Sequence, residues 1–141
     1  MSGFYEQLRS RGKKLGIVFG DHAVLSNSRA ALEASEYARD AGNYDLFHEN
    51  MFHAYFTEAL DIGNLEVIAD VAAKSGMKSV NVCQAVKDGR YRLRLDEARK
   101  EGQMINLTGV PTFIVNTKYT IVGAQPVDVF RDLFNKIEKS K

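Results

Sequence analysis

The string Thr108-Gly109-Val110-Pro111-Thr112-Phe113 constrains the fold more than any other part of the sequence. It places one of the chain's two prolines at the entrance to a short β-type run. A proline there either starts an edge strand in the trans form, or forms a cis X-Pro bond that turns the chain sharply and leaves backbone groups unpaired. Such groups can pair with an extended peptide. From the residues alone both interpretations stay open.

The segments after this string predict a β-hairpin followed by a helix. The β-type runs 112–116 and 119–122 are separated by only two residues, Thr117 and Lys118. Pro126 stands at the first position of a last helix. The apolar face of that helix consists of Val129, Phe130, Leu133, Phe134 and Ile137.

Capping residues and apolar periodicity predict a long helical region before the hairpin. Helices are expected at 3–11, from one of Ser26–Ser28 to about 41, and at 44–60, 65–75, 79–87 and 91–105. Gly42 is predicted to end the second of these helices in a left-handed conformation, and Asn64 to cap the helix 65–75. The apolar run 15–19 is predicted to be a strand or an extended segment. The sheet is therefore small for the number of helices, within an α/β plan.

Length and composition indicate one globular domain without a membrane or nucleic-acid role. The 141 residues carry a formal net charge of +1, too little to attract nucleic acid or anionic lipid over a distance. No apolar run approaches the ~20 residues that span a bilayer. The N-terminus does not resemble a signal peptide, and the single cysteine, Cys83, excludes an internal disulfide. A cytoplasmic location is the expectation.

The residue types that commonly carry chemistry point to structural roles. His48 and His53 are five residues apart, which places them ~140° apart on a helix, so neither a metal site nor a cofactor is predicted. Glu49 with His53 is interpreted as a surface pair. Cys83, among valines, is predicted to be buried and unreactive. The run Arg90, Arg92 and Arg94 resembles a phosphate-binding strip, but the acidic residues after it favour a solvated helix face.

Five strings together resemble the DsbA-like thioredoxin-fold family, in particular its FrnE-type disulfide oxidoreductases. They are Asn27-Ser28-Arg29-Ala30-Ala31, Phe52-His53-Ala54-Tyr55-Phe56, Asp61-Ile62-Gly63-Asn64, Gly109-Val110-Pro111-Thr112-Phe113 and Val122-Gly123-Ala124-Gln125-Pro126. They occur in the family's order, from about Phe4 to Lys136. The family is related to 2-hydroxychromene-2-carboxylate isomerase and kappa-class glutathione transferase.

The resemblance implies an incomplete thioredoxin-like fold with a large all-α inserted domain. Residues 1–25 would be an N-terminal helix and extended segment, 26–105 the helical insertion, and 106–141 the C-terminal β-hairpin and helix of the thioredoxin fold. Val110-Pro111 would be the cis-proline bond. Gly109, Val110, Pro111 and Thr112 would be the substrate-binding loop, with Asn106 tolerating the left-handed turn before it.

The resemblance also implies an activity that this sequence cannot perform alone. Family members exchange thiols and disulfides through a Cys-x-x-Cys helix that would precede the segments matched here. Because that unit is missing and Cys83 lies in the insertion, we expect no catalytic residue and no redox activity from this chain by itself. Whether it is an enzyme is therefore left open.

The missing strands have a structural consequence. An isolated hairpin is marginal in water, and the edge of the strand 112–116 would be open. We expect a homodimer in which residues 15–19, from the same chain or a symmetry mate, help to cover that edge. A thiol or disulfide peptide, or glutathione, are the other partners implied. The alternatives to a truncated oxidoreductase are a non-catalytic binding or dimerisation module and a fragment of a glutathione-dependent isomerase or transferase.

Overall fold

A computed structural model describes the backbone of residues 2–140 and the side chains of residues 5–140. The chain forms two compact units, Met1–Asp96 and Glu97–Lys141. The ends of the predicted domain, Met1 and Lys141, lie outside the described residues. The boundaries predicted at 25 and 105 stay predictions.

The described residues are mostly helical, with one small antiparallel sheet. The helices are α1 (Ser2–Lys14), α2 (Arg29–Asp40), α3 (Tyr44–Phe52), α4 (Leu65–Lys74), α5 (Ser79–Lys87), α6 (Arg92–Met104) and α7 (Val127–Lys139), and a π-helical turn (His53–Thr57) follows α3. The strands are β1 (Thr112–Val115) and β2 (Tyr119–Val122). This order confirms the predicted α/β fold class of a hairpin and helix joined to a helical region.

The segment after α1 is irregular, so of the two states predicted for residues 15–19, a strand or an extended segment, the strand is wrong. Its backbone pairs with the π-helical turn instead: the Gly20 N–H donates to the Phe56 carbonyl at 2.8 Å, and the Thr57 hydroxyl donates to the Val18 carbonyl at 2.9 Å. Gly20 is needed at this contact, because a Cβ there would lie 2.5 Å from the Thr57 carbonyl oxygen. The segment is thus fixed by hydrogen bonds to a helix end and not by a sheet.

The core of the first unit lies among α2, α3, α4 and α5. Small residues on α2 let the neighbouring helices approach closely, since Ala34 and Ala38 are fully buried. Other core residues include Phe47, Met51, Ala54, Ile68, Val71, Ala72 and Val82. Gly42 takes the left-handed conformation that was predicted to end α2. The Asn64 side chain accepts a hydrogen bond from the Glu66 N–H at 2.9 Å and confirms the predicted cap of α4.

The single helix predicted over 44–60 is divided in the structure. The α-helical part ends at Phe52, and a π-helical turn continues to Thr57. Ala54, inside the π-helical turn, is buried, whereas Phe52, the last residue of α3, is 51% exposed. Ala59 lies at a φ of 56°, where the chain leaves the helix.

Helix α5 has the predicted ends but a different buried face. It packs against both α2 and α4, and this places Val82 and Ala85 in the core while Val80 is 72% exposed. Cys83 is therefore half-buried, and the prediction of a buried cysteine is wrong. Its Sγ lies 3.9 Å from the Leu65 carbonyl oxygen.

The three arginines before and within α6 are about half exposed, in agreement with the predicted solvated face, and each is also paired with a carboxylate. The pairs are Arg90 with Asp88 (2.6 Å), Arg92 with Glu33 (3.5 Å), and Arg94 with Glu36 and Asp40 (3.0 Å each). Glu33 is 2% exposed, and Arg29 also lies near it, at 3.6 Å. The first turn of α6 is thus attached to α2 by charge.

The second unit contains the sheet and α7. β1 and β2 are antiparallel, with Thr112 opposite Val122 and Val115 opposite Tyr119. One face of the sheet contacts α7 through Phe113 and Phe130, whose rings meet edge to face at 4.9 Å. Pro126 precedes α7 as its N-cap residue, one position before the predicted one.

Candidate functional site

The predicted loop Gly109–Thr112 leads directly into β1 and is joined to the end of β2. The Thr112 hydroxyl donates to the Gly109 carbonyl at 2.6 Å, and the Gly123 N–H donates to the Pro111 carbonyl at 2.7 Å. Asn106 has a φ of 53°, as was expected for the turn before the loop. These bonds fix the loop at both ends.

Val110 is a largely exposed residue of the loop. Its side chain is 83% exposed, and the Val110–Pro111 peptide bond is cis. Within residues 2–140, neither the N–H nor the carbonyl of Val110 has a hydrogen-bond partner. The loop therefore presents one donor and one acceptor of the main chain.

Gly109 lies where a side chain would be crowded. A Cβ at this position would come 3.2 Å from Val122 Cγ1, so the loop packs closely on the end of β2. The four residues carry no titratable side chain. This arrangement can bind an extended chain through its backbone, but it cannot transfer a proton or attack a disulfide.

The histidines do not form a metal site. Among the described residues, no group of three metal-ligating side chains comes together. His53 pairs with Glu58, at 3.5 Å between Nδ1 and Oε1, and so the predicted pair with Glu49 is wrong. His48 is stacked between the rings of Tyr44 and Phe52, with centroids at 5.3 and 4.4 Å.

Sequence reasoning missed an apolar cavity of about 220 Å³ inside the first unit. It lies among α2, α3 and the π-helical turn, and the buried side chains of Ala31, Met51 and Ile62 line its floor. Phe52 and Phe56 line one wall, and their rings are 5.5 Å apart. The signal was present in the aromatic residues of the string Phe52-His53-Ala54-Tyr55-Phe56, from which only the family resemblance was inferred.

Comparison with models of known protein families shows which family the chain belongs to. The family described as DSBA-like thioredoxin domain matches residues 2–135. The chain belongs to this family. The family match thus confirms the resemblance to DsbA-like proteins that the five sequence strings indicated.

Individual relatives of this DsbA-like chain are longer than it is. It is 26% identical over 112 residues to the uncharacterized protein YwbO of Bacillus subtilis, a match covering 79% of this chain and 56% of YwbO. The crystal structure of a probable DsbA oxidoreductase from Streptomyces coelicolor is similar with a TM-score of 0.81 and 18% identity. That match covers 96% of this chain and 59% of the other. The chain therefore spans less than two thirds of both proteins, and the second similarity concerns the fold.

No helix within residues 2–140 is both long and apolar enough to cross a bilayer.

Proposed function

We propose that this DsbA-like chain is the substrate-binding part of a FrnE-type thiol–disulfide oxidoreductase, and that it is redox-inactive alone. The observation that carries the proposal is the exposed, unpaired backbone of Val110 in a loop fixed at both ends. An extended peptide beside such a loop gains main-chain hydrogen bonds without displacing bonds that the protein makes to itself.

The inactivity follows from the thiols available. Disulfide exchange proceeds through a mixed disulfide, and a second thiol resolves it. The 141 residues contain one cysteine, Cys83, which is half-buried on α5. The chain by itself lacks the pair of thiols that the reaction cycle requires.

Peptide binding tests the role of the loop. A short extended peptide that contains a disulfide is titrated into the isotope-labelled chain, and the amide signals of Val110 and Thr112 are followed. Thr112→Val removes the hydroxyl that holds the Gly109 carbonyl, so we expect affinity to fall about fivefold. Thr120→Val, on the exposed face of β2, is the matched control. A peptide that leaves the Val110 amide unmoved at saturation would contradict the assignment.

Insulin reduction tests the redox proposal. The chain alone should give the uncatalysed rate, and a fragment carrying a Cys-x-x-Cys helix, supplied in trans, should raise the rate only when the chain is present. Catalysis by the chain alone would show that it is not inactive. Saturable glutathione binding would instead favour a fragment of a glutathione-dependent isomerase or transferase.

A non-catalytic dimerisation module is the second candidate. Within the described residues the sheet holds two strands, so no strand lies beside the outer edge of β1, and Ile114 on β1 is 52% exposed. An open apolar edge favours pairing with a second copy. Light scattering at micromolar concentration should give a dimer that Ile114→Lys converts to a monomer, whereas Thr120→Lys should not. A monomeric wild-type chain would rule out this candidate.

A further inference from the structure

The cavity in the first unit has an apolar floor, formed by Ala31, Met51 and Ile62. No Asp, Glu, Lys or Arg side chain lines it. Ser35 reaches the cavity, but its hydroxyl donates to the Ala31 carbonyl at 2.8 Å. A charged group placed on this floor would lose its hydration without gaining a partner. The floor therefore selects an uncharged, apolar body.

The walls favour a flat aromatic body. Phe52, Phe56 and Met51 all line the cavity, and both ring edges and a thioether sulfur make favourable contacts with aromatic rings. Size sets an upper limit. An engineered apolar cavity of roughly 150 Å³ binds benzene, so one of about 220 Å³ has room for one or two fused rings.

Three polar side chains line the cavity without a hydrogen-bond partner among the described residues: Ser28, His48 and Tyr55. Of the three, His48 is held in place by the rings of Tyr44 and Phe52. Its ring nitrogens have no hydrogen-bond partner in the part of the chain that the structure describes. A ligand hydroxyl can therefore hydrogen-bond to His48 while the ring system lies on the apolar floor.

We infer that this cavity binds a neutral aromatic molecule of one or two rings that carries one hydroxyl group. Every lining residue lies between Ser28 and Ile62 and so belongs to the first unit, whereas the peptide loop belongs to the second. The test of this cavity needs no disulfide chemistry, so it can fail or succeed independently of the proposed function.

The experiment is a titration of the isotope-labelled chain with 2-naphthol and, separately, with naphthalene. We expect saturable shifts of amides in residues 28–35 and 48–62 with both, and tighter binding of 2-naphthol. Leu32→Trp places a larger ring at the mouth, where Leu32 is 50% exposed, and should weaken both ligands at least tenfold. Leu46→Trp is the control, since Leu46 is 49% exposed and does not line the cavity.

His48→Phe tests the hydrogen bond, because it keeps a stacked ring and removes the ring nitrogens. It should weaken 2-naphthol about fivefold and leave naphthalene unchanged. Circular dichroism of each variant verifies the fold. Absence of saturable shifts, equal binding to the two tryptophan variants, or an unchanged 2-naphthol affinity in His48→Phe would overturn the inference.

Discussion

Arg94 donates two hydrogen bonds to the carboxylate of Asp40, at 3.0 and 3.2 Å, and so joins the first turn of α6 to the last turn of α2. Tyr91 adds a third, from its hydroxyl to Asp40 Oδ2 at 2.9 Å. The guanidinium of Arg94, followed by the Tyr91 hydroxyl, holds the pKa of Asp40 below its usual range. The ionised form of this carboxylate therefore stabilises the fold.

The first prediction concerns acid stability. The pKa of Asp40 is lower in the folded state than in the unfolded state. Its contribution to the free energy of unfolding is therefore complete above the unfolded-state pKa of about 3.9, and it is lost as the pH falls through the folded-state pKa. Asp40→Asn should lower the free energy of unfolding at pH 7, and the difference from wild type should shrink below about pH 4. Urea denaturation from pH 2.5 to 7 measures it. Asp70→Asn, at an exposed position on α4, should leave the profile unchanged.

The second prediction concerns the hairpin turn. Asn116 and Thr117 both lie in the left-handed region, at φ of 52° and 56°, and the Lys118 N–H donates to the Val115 carbonyl at 3.1 Å. A β-branched residue is strained there, whereas glycine is not. Thr117→Gly should stabilise the second unit by about 1 kcal/mol in thermal or urea unfolding. Thr120→Gly, inside β2, should destabilise it, and a loss in both variants would contradict the argument.

The third prediction concerns a buried hydroxyl between helices. Ser75 is fully buried; its hydroxyl donates to the Val71 carbonyl at 2.7 Å and accepts from the Asn50 amide at 3.0 Å. Ser75→Ala should cost about 1–2 kcal/mol, because the Asn50 amide loses its partner. A double-mutant cycle with Asn50→Ala should show that the two losses are not additive. Strict additivity would mean that the two side chains do not stabilise each other.

The fourth prediction concerns the contact between Gly20 and the π-helical turn. Gly20→Ala would force the new methyl group against the Thr57 carbonyl and should cost roughly 1–3 kcal/mol. Gly102→Ala is the matched control, since Gly102 lies inside α6 and its nearest neighbour is 3.8 Å from the added carbon. The free energy of unfolding of Gly102→Ala should be higher than that of the wild type by about 0.5–1 kcal/mol. A neutral Gly20→Ala would show that the segment can move away from the turn.

Local chemistry explains what the sequence could predict. Gly42, Asn64 and Asn106 act through their own backbone and side chains, so the helix ends and the turn before the candidate loop followed from them. The loop itself could be named only from the resemblance of its string to the family, since the residues alone left the cis and trans forms open. Three features could not be predicted: the buried face of α5, the π-helical turn and the partners of Arg94. Each depends on which helix packs beside it, and no local sequence pattern indicates that.

The partial burial of Cys83 has a practical consequence. The chain has one thiol, which is half-buried with its sulfur near the Leu65 carbonyl. We therefore expect little background labelling at Cys83 by thiol reagents. A second cysteine introduced at the 83%-exposed position of Val110 would be far more accessible to reagents. A disulfide probe or fluorophore attached there would report directly on whatever occupies the loop.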